Sequence, residues 1–175
     1  MEDESKPQRR PAGLKRSAAR LAAVQALYQI EVTDRPSSGV VTEFVKHRLG
    51  QEIDGENYGM ADKALFANIV EGVERRREDL DGMISSVLPS DWPLERLEIV
   101  LRALLRAGVY ELLERADVPG RVVVSEYVDI AHAFFSGKEP GMANGVLDRL
   151  AHTLRPDDWE KGRNGARQGS RPPAG

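Results

Sequence analysis

The chain is predicted to be all-α, on three observations. Leu and Ala recur at three- and four-residue spacing through most of its 175 residues, which is the helix period. Aromatics make up only 6% of residues, and β-branched residues rarely alternate with polar ones. Turn clusters at Asp34–Gly39, Ser90–Pro93 and Asp117–Gly120 cut the periodic stretches into helix-length pieces.

The first helix is expected to start between Gly13 and Ser17, because Pro11 and Gly13 break anything earlier. Leu14, Leu21, Val24 and Tyr28 form its apolar stripe, with Arg16 and Arg20 one turn apart at the edge. It ends near Val32, before Asp34-Arg35-Pro36-Ser37-Ser38-Gly39. A short helix over Val41–Arg48 and a polar loop from Gly50 to Gly59 follow. Asp62 caps the next helix, whose apolar face is Leu65, Phe66, Ile69, Val70 and Val73. Leu80, Ile84, Val87 and Leu88 resume the period out of phase, so a break is expected within Glu74–Glu78. Pro93 opens the most apolar helix, which runs to Leu113 and is expected to be packed on several sides. Helices over Val122–Phe135 and Gly141–Leu154 complete the fold, the last stopped by Arg155-Pro156.

Charge is distributed unevenly. Lys6, Arg9, Arg10, Lys15, Arg16 and Arg20 follow one another with no acid between them. From Leu21 to Glu160 there are 25 Asp and Glu against 15 Lys and Arg. A cationic front on an anionic body points to a polyanion at one end and another partner on the body. Residues 1–13 are read as a flexible basic arm and 14–155 as one helical RNA-binding domain. Residues 156–175, rich in Gly, Arg and Pro, are read as a disordered basic tail.

Several classes of chemistry lack their signatures. There is no cysteine, hence no disulfide framework or thiolate. The acidic start Met1-Glu2-Asp3-Glu4 does not resemble a signal peptide, and no apolar run is long enough for a membrane span, so a cytoplasmic protein is expected. Gly141-Met142-Ala143-Asn144-Gly145 carries two glycines but no Lys-Ser or Lys-Thr follows, so it is not a phosphate-binding loop. His47, His132 and His152 lack metal-ligand spacing, and Ser125 lies inside a helix rather than on a nucleophile elbow. No enzyme activity, cofactor or metal is expected.

The candidate contacts are those of RNA binding. Lys15, Arg16 and Arg20 are placed on or beside the first helix to meet phosphates, and Arg9 and Arg10 extend the array. Tyr28 is suited either to stacking on a base or to core packing. Of Phe134 and Phe135, one ring points inward. Asn144 either reads a base edge or caps the last helix. Arg75-Arg76-Arg77 is explained by pairing with Glu74, Glu78 and Asp79.

Three stretches together resemble the NusB family of transcription antitermination and ribosomal RNA processivity factors. They are Arg20-Leu21-Ala22-Ala23-Val24-Gln25-Ala26-Leu27-Tyr28, Leu105-Arg106-Ala107-Gly108-Val109-Tyr110-Glu111-Leu112 followed by Asp117-Val118-Pro119, and Asn144-Gly145-Val146-Leu147-Asp148. The resemblance covers residues 14 to 155. It implies two small helical bundles packed around a long N-terminal helix. It also implies binding of single-stranded boxA RNA together with NusE, a small-subunit ribosomal protein, and delivery to RNA polymerase in an antitermination complex. Phe134, Lys138 and Asn144 join the RNA candidates on this basis, and Leu101, Arg102, Gly120 and Arg121 become candidate contacts to the protein partner. Two departures stand out. Met142-Ala143 replaces the family's usual aromatic-Val pair, removing a ring, and Leu101 replaces a common acid. Rival readings are a protein–protein adaptor or homodimer without RNA contact, and the NusB-like domain of an RNA methyltransferase, which would need a following cofactor-binding fold.

Overall fold

The structure is a computed structural model that describes residues 11–49, 52–53, 56–57 and 61–160. It is helical throughout apart from one minimal strand pair, and the chain divides into two compact units, one ending at Arg75 and the other starting at Arg76.

The first unit is built on α1 (Pro11–Thr33), the longest described helix. It starts earlier than the sequence reading, because proline suits a first helical turn and one helical glycine costs only about 1 kcal/mol. Thr33 donates its hydroxyl to the Gln29 carbonyl, and Asp34 then turns the chain at a φ of 53°. Asp tolerates this left-handed conformation better than most residues. The helix α2 (Ser37–His47) begins directly after Pro36, four residues before the expected start. Glu52–Ile53 (β1) and Glu56–Asn57 (β2) pair antiparallel within the stretch read as a loop.

Asp62 caps α3 (Lys63–Arg75) as expected, accepting the Leu65 N–H at 2.9 Å. Its own N–H donates to the Lys15 carbonyl at 3.1 Å, which ties the entry of α3 to the first turns of α1. The core holds Leu65, Phe66, Ile69, Val70 and Val73 with Val40, Phe44 and the alanine-rich side of α1. The rings of Phe44 and Phe66 stack at 5.5 Å, joining α2 to α3.

The expected break falls at Arg76, whose φ of −109° and ψ of 20° interrupt the helix before α4 (Arg77–Val87). Pro93 opens a 3-10 turn (Leu94–Arg96) rather than the long helix. Leu97 then stays extended, so α5 (Ile99–Glu114) starts only after Glu98. Every residue from Ala103 to Leu112 is buried, which makes α5 the central helix of this unit. Around it lie α4, α6 (Gly120–Phe134) and α7 (Glu139–Leu154), with Pro140 in the first turn of α7. Gly108 permits the close approach of α5 to its neighbours: a Cβ there would lie 2.9 Å from Leu147 Cδ2 and 3.3 Å from Tyr127 Cδ2. A final helical turn covers residues 156–160.

Candidate RNA interface

Each unit carries its own set of the candidate side chains. Arg9 and Arg10 lie outside the described residues. On α1, Arg16 is exposed and Lys15 is half-buried. Arg20 corrects the expectation of a continuous basic edge, since it is only 2% exposed. It shares a side of the helix with Ala19, Ala23 and Leu27, all of them buried. The 100° step of the helix puts Arg16 on that side too, one turn earlier, where the first turns of α1 overhang the packing. Arg20 is therefore part of the core of its surroundings, and the accessible charge is that of Lys15 and Arg16.

Tyr28 is 42% exposed, so it does not take the core role that its place on the expected stripe allowed. Leu14 is likewise exposed; of the expected stripe Val24 is buried, and the rest of the buried face is made by Ala19, Ala22, Ala23, Ala26, Leu27 and Ile30. By the same 100° step, Tyr28 lies about 120° around α1 from Arg16 and about 18 Å along it. The helix does not bring these two onto one face.

In the second unit, Phe134 at the end of α6 is the exposed ring of its pair, and Phe135 is half-buried. Lys138 precedes α7 and is exposed, so Phe134 and Lys138 flank the same short connection. Asn144 does not cap α7; it stands inside the helix with its side chain exposed. It lines a groove between α6 and α7 together with Arg121, Ser125, Asp129, Asp148 and Trp159.

The candidate partner contacts divide in the same way. Leu101 is 1% exposed, as an apolar residue on the most buried helix should be, so it offers no surface. Gly120 is also buried, because the Trp159 ring lies where a Cβ would project, at 2.8 Å. Arg102 is half-buried and donates to the Glu95 carbonyl at 3.1 Å, bracing the start of α5 against the 3-10 turn. Arg121 is exposed, its guanidinium 5.9 Å from the Trp159 ring centre. Within Arg75-Arg76-Arg77, Arg76 pairs with Asp79 and with Glu114 on α5, in keeping with the structural reading.

Sequence reasoning missed the anchor at the end of the described chain. Arg155 was read only as a helix stop, yet its guanidinium crosses to the C-terminal end of α5. Nε donates to the Leu112 carbonyl at 2.7 Å, and Nη2 donates to those of Glu111 at 3.2 Å and Arg115 at 2.6 Å. Nη1 donates to the Val118 carbonyl at 2.9 Å and to Asp158 Oδ2 at 3.4 Å. The Leu112 carbonyl lies in the last turn of α5, where a helix leaves carbonyls short of donors. Those of Glu111 and Arg115 accept the Arg115 and Val118 N–H groups and take a second donor here; the planar five-donor fork of arginine suits such a set. Asp158 in turn accepts the Gly120 N–H at 2.9 Å, and Trp159 packs on His152 with ring centres 4.2 Å apart. The one signal available in sequence was a tryptophan close to a Gly- and Arg-rich segment.

With this geometry in place, the chain can be compared with known proteins. The NusB family model matches residues 17–152. Transcription antitermination protein NusB of Bradyrhizobium diazoefficiens is 49% identical over 160 residues, covering 88% of this chain and 97% of that one. The protein of the same name from Sinorhizobium fredii is 56% identical over 140 residues, 80% of this chain and 88% of that one. Among solved structures, NusB of T. maritima superposes with a TM-score of 0.67 at 27% identity, over 82% of this chain and 96% of that one. A chain from the crystal structure of antitermination factors NusB and NusE in complex with dsRNA gives 0.64 at 25% identity, over 78% and 96%. A match of this extent, over a fold that the three sequence motifs anticipated, identifies the chain as a member of the NusB family.

Proposed function

We propose that the chain is a transcription antitermination factor that binds single-stranded RNA of the boxA type jointly with a small-subunit ribosomal protein acting as NusE. In this reading it works in the cytoplasm within an RNA polymerase antitermination complex that supports ribosomal RNA transcription. The observation that carries the reading is family membership across nearly all the described helices, together with a relative crystallised with NusE and RNA. Lys15 and Arg16, exposed or half-exposed at the start of α1, supply the phosphate contacts, and Tyr28, Phe134, Lys138 and Asn144 supply further accessible contacts within their own units. Arg121 and Arg102 are the accessible remainder of the protein-partner set.

Charge gives a role to the partner. The stretch from Leu21 to Glu160 is net acidic and repels RNA within a Debye length, about 8 Å at physiological salt. A basic ribosomal protein seated on it screens that field, so RNA and partner bind with positive, reciprocal coupling of about 1–3 kcal/mol.

The test is a titration with single-stranded and duplex RNA at several salt concentrations, with and without the partner. Lys15→Glu with Arg16→Glu is the variant of choice, since buried Arg20 would confound binding with folding. Two lost phosphate contacts flatten the single-strand salt slope by about 1.4. An unchanged slope in a folded double variant overturns the assignment of these residues. Equal RNA affinity with and without partner overturns the coupling.

A further inference from the structure

Helix α1 extends beyond its own packing. It begins at Pro11, yet the first buried residue among those described on it is Ala19. From Gly13 to Ala18 every residue is exposed or half-buried. This start favours fraying. Lys15 and Arg16 oppose the positive end of the helix dipole, and the first turn carries no acid to offset them. Gly13 adds backbone freedom at the same end. The first N–H groups of any helix also lack intrahelical acceptors. Such a start keeps one place only if it is held from outside the helix.

Asp62 supplies a hold. Its main-chain N–H donates to the Lys15 carbonyl at 3.1 Å. That donor is itself fixed from the other side. Asp62 Oδ1 accepts the Leu65 N–H at 2.9 Å, and the Asp62 carbonyl accepts the Phe66 N–H at 3.0 Å. Leu65 and Phe66 are both in the core, beside Ile69 and Val70. A continuous path therefore runs from the core through the cap of α3 to the turn of α1 that carries the two basic residues.

We propose that Asp62 is a positioning residue for RNA binding. Its cap fixes its own N–H, and that N–H fixes the turn that presents Lys15 and Arg16 to phosphates. This role rests on the reading of those two residues as phosphate contacts. Ordering the turn before RNA arrives lowers the entropy lost on binding, so affinity rises without any contact between Asp62 and RNA. As an anion Asp62 repels phosphate directly, so its favourable effect is carried by Lys15 and Arg16 alone.

Asp62→Asn and Asp62→Ala in the full chain lose the same charge, but only asparagine keeps a side-chain cap. Amide hydrogen exchange of residues 15–19 is expected to be about fivefold faster in Asp62→Ala than in Asp62→Asn, the equilibrium factor of a typical cap. At fixed salt Asp62→Ala should also bind a single-stranded boxA-type RNA more weakly than Asp62→Asn, by a factor of the same order. In a Lys15→Glu, Arg16→Glu background the two variants at position 62 should bind alike. A cap that only stabilised α3 would change exchange within α3 and leave residues 15–19 and RNA affinity as they were. Equal exchange at residues 15–19 in the two variants overturns the proposal. An affinity difference that survives in the charge-reversed background overturns it too, because Asp62 would then act through other residues. The charge-reversed chain separates the two levels of inference. If it binds RNA as the parent does, the phosphate assignment fails and the role of Asp62 falls with it. If it binds weakly while Asp62→Ala and Asp62→Asn bind alike, only the role of Asp62 is overturned.

Discussion

The Tyr127 hydroxyl donates a 2.5 Å hydrogen bond to Glu111 Oε2, linking α6 to the central helix α5. Both side chains are fully enclosed. A carboxylate in such a place needs donors, and the stretch around Glu111 is part of the most apolar helix of the chain. Tyr127→Phe keeps the ring and removes the donor, so it is expected to cost about 1–3 kcal/mol. Urea denaturation checks it: a midpoint equal to that of the parent would show that Glu111 does not depend on this donor.

Gly108 and Gly82 should respond in opposite directions to alanine. At Gly108 the added methyl meets Leu147 and Tyr127, and overpacking of about 1–3 kcal/mol outweighs a helix-propensity gain of at most about 1 kcal/mol. At Gly82, exposed on α4 with nothing within 4 Å, only the gain remains. Thermal melts of the two variants should therefore move apart, and a stabilised Gly108→Ala would show that the helices separate more readily than their packing implies.

Arg155→Lys should loosen the end of the described chain. A lysine ammonium is a point charge that cannot span four carbonyls and a carboxylate. The expected loss is about 1–3 kcal/mol, with a red shift in Trp159 emission measured in a Trp92→Phe background. Unchanged emission would mean that Trp159 holds its place through His152 and Gly120 alone.

Glu43 gives a pH signature. The hydrogen bond donated by Arg35, 2.7 Å long, holds its carboxyl below the ordinary value of 4.5. A carboxyl lowered on folding contributes stability above its ordinary range, and that contribution is lost as pH falls through the lowered value. Carboxyl carbon NMR titration should place Glu43 low in the parent and return it to the ordinary range in Arg35→Ala. No change on substitution would remove Arg35 as the cause.

Helix identity was written locally. The spacing of Leu65, Phe66, Ile69, Val70 and Val73, the Asp62 cap and the break at Arg76 were all legible, because each depends on residues within a turn or two of one another. The three motifs carried the family in the same way. Helix starts were less legible: α2 begins directly after Pro36, Pro93 is followed by a 3-10 turn before α5, and Pro140 lies within the first turn of α7, and local sequence does not choose among these.

What only the tertiary structure decided is which side of a helix is covered. Arg16 and Arg20 are equivalent in sequence, one turn apart, but packing covers the second and leaves the first in solvent. Tyr28 and Leu14 have core-like spacing yet remain exposed, while Val24 of the same stripe is buried together with small alanines, Leu27 and Ile30. Glu111 is only one letter of a motif and Arg155 only a helix stop until Tyr127 and the end of α5 are brought to them. Periodicity fixes the angle between side chains on one helix, but burial depends on neighbours remote in sequence, and the contacts that satisfy a buried polar group exist only after those neighbours arrive.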